Sequence, residues 1–106
     1  MPVSKTHFAI TQMTDIKHHQ GETGGSFYYE KDGQKLAEMT YTMAGPQRMI
    51  IDHTEVDASL QGTGMGKQLL GELVNYVRAN KITVIPLCPF ANATLKRTPE
   101  WQDILN

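Results

Sequence analysis

The chain has 106 residues, 40% of them hydrophobic and 20% charged, with five prolines and a formal net charge of −1. That length supports a single domain over residues 1–106 with a real core but not two domains; the composition excludes a disordered chain; and near-neutral charge without a basic stripe argues against a nucleic-acid partner. One cysteine, Cys88, rules out an internal disulfide and suits a reducing compartment, and with no apolar leader in Met1-Pro2-Val3-Ser4-Lys5-Thr6-His7 and no run of membrane-spanning length, the cytosol is the expected location.

In chain order, Phe8, Ile10 and Gln12 alternate with Ala9, Thr11 and Met13, which predicts a first strand. Asp15 to Gly25 is polar and glycine-containing and reads as loop. Ser26 to Glu30 is the second strand, and Asp32-Gly33 is a hairpin signal because both residues accept positive φ. Lys35 to Met43 is the third strand, closed by Gly45-Pro46, and Arg48 to Val56 the fourth. The first half is thus an antiparallel meander. The period then changes: Met65, Leu69, Leu73 and Val77, flanked by Leu70 and Val74, form an apolar helical stripe within Gly64 to Asn80. Asn80 is expected to close that helix in a left-handed conformation. Ile82 to Ile85 is a short fifth strand stopped by Pro86, and the helical crossover before it makes it a parallel neighbour of the fourth. A short helix is expected over Ala91 to Arg97, and Thr98-Pro99-Glu100 reads as a further helix start with Thr98 as N-cap.

Between the fourth strand and the long helix lies Gln61-Gly62-Thr63-Gly64-Met65-Gly66. A strand, a glycine-rich turn and a helix start make an anion cradle, because unpaired N–H groups and the helix dipole converge there. A P-loop would need glycine at Gln61 and Ser or Thr at Gln68, and the dinucleotide fingerprint fails counted from either Gly62 or Gly64. The bland alternative is that the glycines only make a tight turn and let the helix pack closely.

With its surroundings, this segment resembles the GNAT superfamily of acetyl-CoA-dependent N-acetyltransferases, whose pyrophosphate loop reads [Gln or Arg]-x-x-Gly-x-[Gly or Ala]; Gln61, Gly64 and Gly66 fill it. The resemblance is closest to a minimal single-domain branch, through His53-Thr54-Glu55-Val56, Pro86-Leu87-Cys88-Pro89-Phe90 and Arg97-Thr98-Pro99-Glu100-Trp101. It implies an α+β fold in which a four-stranded antiparallel sheet, a crossover helix and a parallel fifth strand form a truncated GNAT-like domain. It implies acetyl-CoA as cosubstrate, no metal, and an amine acceptor that is a protein, a peptide or a small molecule. Gln61, Gly62, Thr63, Gly64, Met65, Gly66 and Lys67 would hold the pyrophosphate, and the main chain at Val56 would meet the pantetheine arm between splayed strands. Lys67, Lys96 and Arg97 are candidates for the remaining phosphate, against a plain reading as solvated charges.

A lysine-type amine, with a pKa of about 10.4, is mostly protonated at pH 7 and attacks only when neutral, so the site benefits from a base. His53 or Glu55 would serve in direct transfer. Cys88 would serve in a covalent route, although a thiol of pKa about 8.5 needs local activation. The structural alternatives are a buried small hydrophobe for Cys88, packing or hydrogen bonding for His53 and a surface charge for Glu55. Adjacent His18-His19 lacks the spacing of a metal pair; Tyr28, Tyr29 and Tyr41 read as strand packing, and Trp101 as an anchor for the last helix. Ordinary family members carry helices between strands one and two and further strands after strand five. Here only Asp15 to Gly25 joins the first two strands and the chain stops soon after Trp101, which predicts an open acceptor side and weak intrinsic activity. The alternative function is a CoA- or acyl-CoA-binding module that does not turn over.

Overall fold

The structure, a computed structural model, describes residues 15–106. Strands β1 (Lys17–Gln20), β2 (Gly24–Lys31), β3 (Gln34–Met43) and β4 (Arg48–Val56) lead through a 3-10 turn (Ala58–Leu60) to helix α1 (Met65–Asn80). Strand β5 (Thr83–Pro86), helix α2 (Pro89–Lys96) and a closing 3-10 turn (Pro99–Ile104) follow. The sheet order is β1-β2-β3-β4-β5, with β4 and β5 parallel and every other pairing antiparallel. This is the expected α+β arrangement. Asp32 (φ 52°) and Gly33 (φ 77°) form the two-residue turn of the β2–β3 hairpin, as their sequence predicts.

Period-two burial on the sheet meets period-3.6 burial on the helix. Ala37, Met39 and Tyr41 on β3, Met49 and Ile51 on β4 and Val84 on β5 face Met65, Leu69, Leu70, Leu73, Val74 and Val77 of α1. Fully burying one such side chain contributes about 1.5–3 kcal/mol, so the α1 stripe holds the crossover helix on the sheet and fixes where its N-terminus points. Trp101 covers α1 at Gly71, where a Cβ would lie 3.5 Å from Cη2 of the indole. Arg78 clamps the closing turn through Asp103, at 3.1 Å from Nε and 2.6 Å from Nη2, which holds the Asp103 carboxyl below the usual carboxylate range.

Two local expectations are corrected, a third is refined, and one lies out of view. Asp15 to Gly25 is not all loop, because β1 occupies Lys17–Gln20 within it. Its inward residue is His18, a polar type that a hydrophobic pattern does not count as core. The imidazole stacks on Phe27 at 4.0 Å and 13°, meets Tyr76 edge-on at 4.6 Å, and lies 2.6 Å from the Tyr41 hydroxyl through Nε2. The left-handed residue closing α1 is Lys81 (φ 56°), not Asn80, whose side chain instead donates to the Tyr76 carbonyl at 2.9 Å. Thr98 stands at the N-cap of the closing turn with Pro99 just after it, as expected, but its hydroxyl makes no capping bond and donates backward to the Thr94 carbonyl at 2.7 Å. The strand expected at Phe8 to Met13 lies outside the described residues. No helix among the described residues is long and apolar enough to cross a membrane.

Candidate functional site

The site begins where β4 outruns β5. The parallel ladder ends at the Ile51–Pro86 pair, and the Leu87 and Cys88 N–H groups both donate to the Ile51 carbonyl, at 3.1 and 3.0 Å. Beyond that point the chain turns into α2, while β4 continues through Val56 with no β5 partner. The sheet opens into a wedge in which the end of β4 has no strand partner on the β5 side.

A bulge decides which side chains face that wedge. Thr40 pairs with His53 but Tyr41 pairs with Ile51, so Asp52 is an extra residue on β4. Strict alternation from the buried Met49 and Ile51 would turn His53 and Glu55 toward the core. The extra residue shifts the phase instead: Thr54 and Val56 turn toward the helices and His53 and Glu55 to solvent. His53 and Glu55 do share a face, as their spacing predicts, with Nε2 and Oε2 3.3 Å apart and side chains 65% and 77% exposed.

On the helix side the wedge continues into a cleft of about 610 Å³. Thr54 and Val56 form one wall, Phe90, Thr94, Arg97 and Thr98 the other, and the glycine turn closes the end with Gln61, Gly62, Gly64, Met65, Gly66 and Lys67. Gly64 (φ 84°) is the N-cap of α1 and gives no side-chain cap. The first helical bond runs from Gln68 N–H to the Gly64 carbonyl at 3.0 Å, so the N–H groups of Met65, Gly66 and Lys67 precede the ladder and remain available to an anion. A Cβ on Gly62 or Gly64 would meet nothing within 4 Å, whereas one on Gly66 would lie 2.7 Å from Cζ of Phe90. The cradle therefore stands open, with the Phe90 ring packed against its base.

Not every residue that the sequence singles out reaches the cleft. Thr63 spends its N–H and hydroxyl on the Leu60 carbonyl, at 3.2 and 2.6 Å. Gln61 lines the cleft, but its Nε2 donates to the Val56 carbonyl at 2.9 Å, tying the turn to the end of β4. Lys67 and Arg97 line the cleft and Lys96 does not; the Lys67 ammonium lies 5.6 Å from the centroid of the Trp101 ring. Cys88 is 3% exposed, and its Sγ lies 3.2 Å from Thr54 Oγ1, on the opposite side of β4 from His53 and Glu55. Thr54, Leu60, Phe90, Thr94 and Thr98 are the cleft residues to which sequence reasoning gave no binding role. Phe90 and Thr94 share a helix face at i, i+4 spacing, a signal that appears only once α2 is known to border the cleft.

The cleft fits acetyl-CoA by the chemistry of its donors: backbone N–H groups and two cationic side chains for phosphates, and unpaired strand backbone for an amide-bearing arm. Comparisons with known proteins give the family. The model of the GCN5-related N-acetyl-transferase family matches residues 26–104. The solution structure of a GCN5-like protein from Staphylococcus aureus is 34% identical, with a TM-score of 0.68, over 87% of this chain and 89% of that one. The ribosomal-protein-alanine N-acetyltransferase of Brucella melitensis (15% identity, TM-score 0.62) and the ribosomal-protein-S18-alanine N-acetyltransferase of Escherichia coli (19%, 0.59) share the fold. They are matched over 74% and 93% of this chain, which spans 63% and 61% of theirs. No curated protein matches the sequence. A matched family model over most of the chain, a relative a third identical along nearly its whole length, and a glycine cradle beside a splayed strand lead to one conclusion: the chain belongs to the GCN5-related N-acetyltransferase family, enzymes that use acetyl-CoA as cosubstrate.

Proposed function

We propose that this protein transfers an acetyl group from acetyl-CoA to an amine by direct attack, with the cosubstrate on the helix side of β4 and the amine arriving on the other. The observation that carries the reading is the phase shift at Asp52, which leaves Thr54 and Val56 in the cleft and His53 and Glu55 together on the opposite, solvent-facing side. Bound acetyl-CoA supplies an acetyl group already activated as a thioester. The N–H groups of Met65, Gly66 and Lys67, with the Lys67 and Arg97 side chains, hold its phosphates, and the unpaired end of β4 receives its arm. His53 takes the proton that the amine must lose, Glu55, 3.3 Å away, steadies the imidazolium that results, and as the C–N bond forms the C–S bond breaks to release CoA, whose thiolate takes a proton from solvent. A depression of about 400 Å³ lined by Lys35, Glu38, Glu55 and Asp57 gives the incoming amine a polar approach.

Burial of Cys88 and its Thr54 contact favour a packing role over a covalent one. Mass spectrometry of the protein incubated with acetyl-CoA, followed by a panel of peptide and small-molecule amines, tests this. Direct attack predicts no acetyl adduct on the wild type, transfer retained in Cys88→Ser and transfer reduced at least tenfold in His53→Ala. An acetyl adduct that disappears in Cys88→Ser together with transfer would contradict it. Binding of acetyl-CoA without transfer to any amine would point to a CoA-binding module.

A further inference from the structure

Two buried side-chain polar atoms among the described residues have no hydrogen-bond partner within the protein, Gln68 Oε1 and Thr94 Oγ1. Gln68 is half-buried and borders a different groove, whereas Thr94 is 4% exposed and lines the cleft. A threonine inside a helix usually returns its hydroxyl to the carbonyl one turn back. Thr98 does this, donating to the Thr94 carbonyl at 2.7 Å, but Thr94 does not do the same toward Phe90. A buried hydroxyl without a partner costs roughly 1–3 kcal/mol of desolvation, and such groups in folded proteins call for a reason.

We propose that Thr94 is a ligand-binding residue whose hydroxyl hydrogen-bonds the amide-bearing arm of acetyl-CoA. The proposal rests on the acetyl-CoA reading of the cleft and adds a contact to it. Thr94 stands on the α2 wall, across from the β4 wall formed by Thr54 and Val56. Rotation of χ1 to another staggered position re-aims the hydroxyl, and Thr94 lines the cleft. The arm suits this position better than the phosphates do. A diphosphate stays partly solvated and is already served by N–H groups and the cations of Lys67 and Arg97. A neutral amide entering a dry wall needs a partner that both donates and accepts, and a hydroxyl is one. The free protein thus carries an unsatisfied group that binding satisfies.

Thr94→Val removes the hydroxyl at nearly constant shape, and Thr94→Ser restores it. Titration calorimetry with acetyl-CoA and with adenosine 3′,5′-bisphosphate, which lacks the arm, reads affinity, and thermal unfolding without ligand reads stability. The expected result is that Thr94→Val melts at or above the wild-type temperature yet binds acetyl-CoA about tenfold more weakly. Thr94→Ser recovers the affinity, and the arm-less ligand does not distinguish the three proteins. Equal acetyl-CoA affinity in wild type and Thr94→Val would overturn the proposal while leaving the cofactor site standing. So would an equal loss for both ligands. A lower unliganded melting temperature in Thr94→Val, repaired by Thr94→Ser, would mark a structural hydroxyl and overturn it as well. If the wild type itself does not bind acetyl-CoA, the cofactor reading falls and this assignment falls with it.

Discussion

Gly64 and Gly66 lie two residues apart in the same turn and are required for different reasons. Gly64 holds φ 84° with open space where a Cβ would be, so alanine there costs backbone strain of about 1–2 kcal/mol without obstructing anything. Gly66 has no such conformation, but a Cβ would lie 2.7 Å from Phe90, whose ring would have to give way into the cleft. Gly64→Ala should therefore lower the unfolding free energy by that amount in a denaturant titration. Gly66→Ala should chiefly weaken acetyl-CoA binding, with the larger loss seen by calorimetry. The spacing of these glycines was legible in the sequence because backbone geometry dictates it directly. Thr94 was not legible, since its significance is a missing hydrogen bond and a missing contact leaves no trace in residue order. Gln61 shows the converse: its motif position was recognised, but its side chain turns to the Val56 carbonyl, a contact that depends on how β4 ends.

Elements with a strong period were read correctly and the weakly patterned one was not. The α1 stripe and the alternation in β3 reflect one-sided burial, which period alone reveals. β1 escaped because its buried side is a histidine among aromatic rings rather than an aliphatic residue, and the bulge at Asp52 escaped because an inserted residue carries no compositional mark. The bulge is nevertheless what separates the cleft side chains from His53 and Glu55. The β1 contact also has a pH consequence. Burial, with a smaller contribution from the charge of His19, lowers the His18 pKa below its ordinary value of 6.5. Below that pH the unfolded chain takes up the proton more readily than the folded one, so stability is full above pH 6.5 and declines as pH falls through the folded pKa. Beside the ring, burial raises the Tyr41 pKa above its ordinary value, so the hydroxyl that meets His18 stays uncharged in this range. The melting temperature should therefore drop between pH 7.5 and pH 5.5, and His18→Gln should flatten that drop; an unchanged slope in the variant would remove His18 as its source.

At the scale of the whole molecule, one sheet divides the chemistry. α1 and α2 cover one side and frame the cleft, while the end of β4 presents His53 and Glu55 on the other, and the wedge between β4 and β5 joins them. The donor was legible through the family resemblance that Gln61, Gly64 and Gly66 carry together with their flanking motifs, since that family uses acetyl-CoA. The acceptor was not, because the solvent-facing side of β4 is a shallow polar surface with no pattern to read. Thermal unfolding with and without ligand tests the central claim most directly. At a hundredfold excess over Kd, acetyl-CoA should stabilise the fold by about 2.7 kcal/mol, a rise in Tm of roughly 10 °C. S-acetylpantetheine, which carries the arm and the acetyl group but no pyrophosphate, should give almost no rise at the same concentration. Equal shifts for the two, or none for acetyl-CoA, would contradict the assignment of the glycine turn as a pyrophosphate cradle.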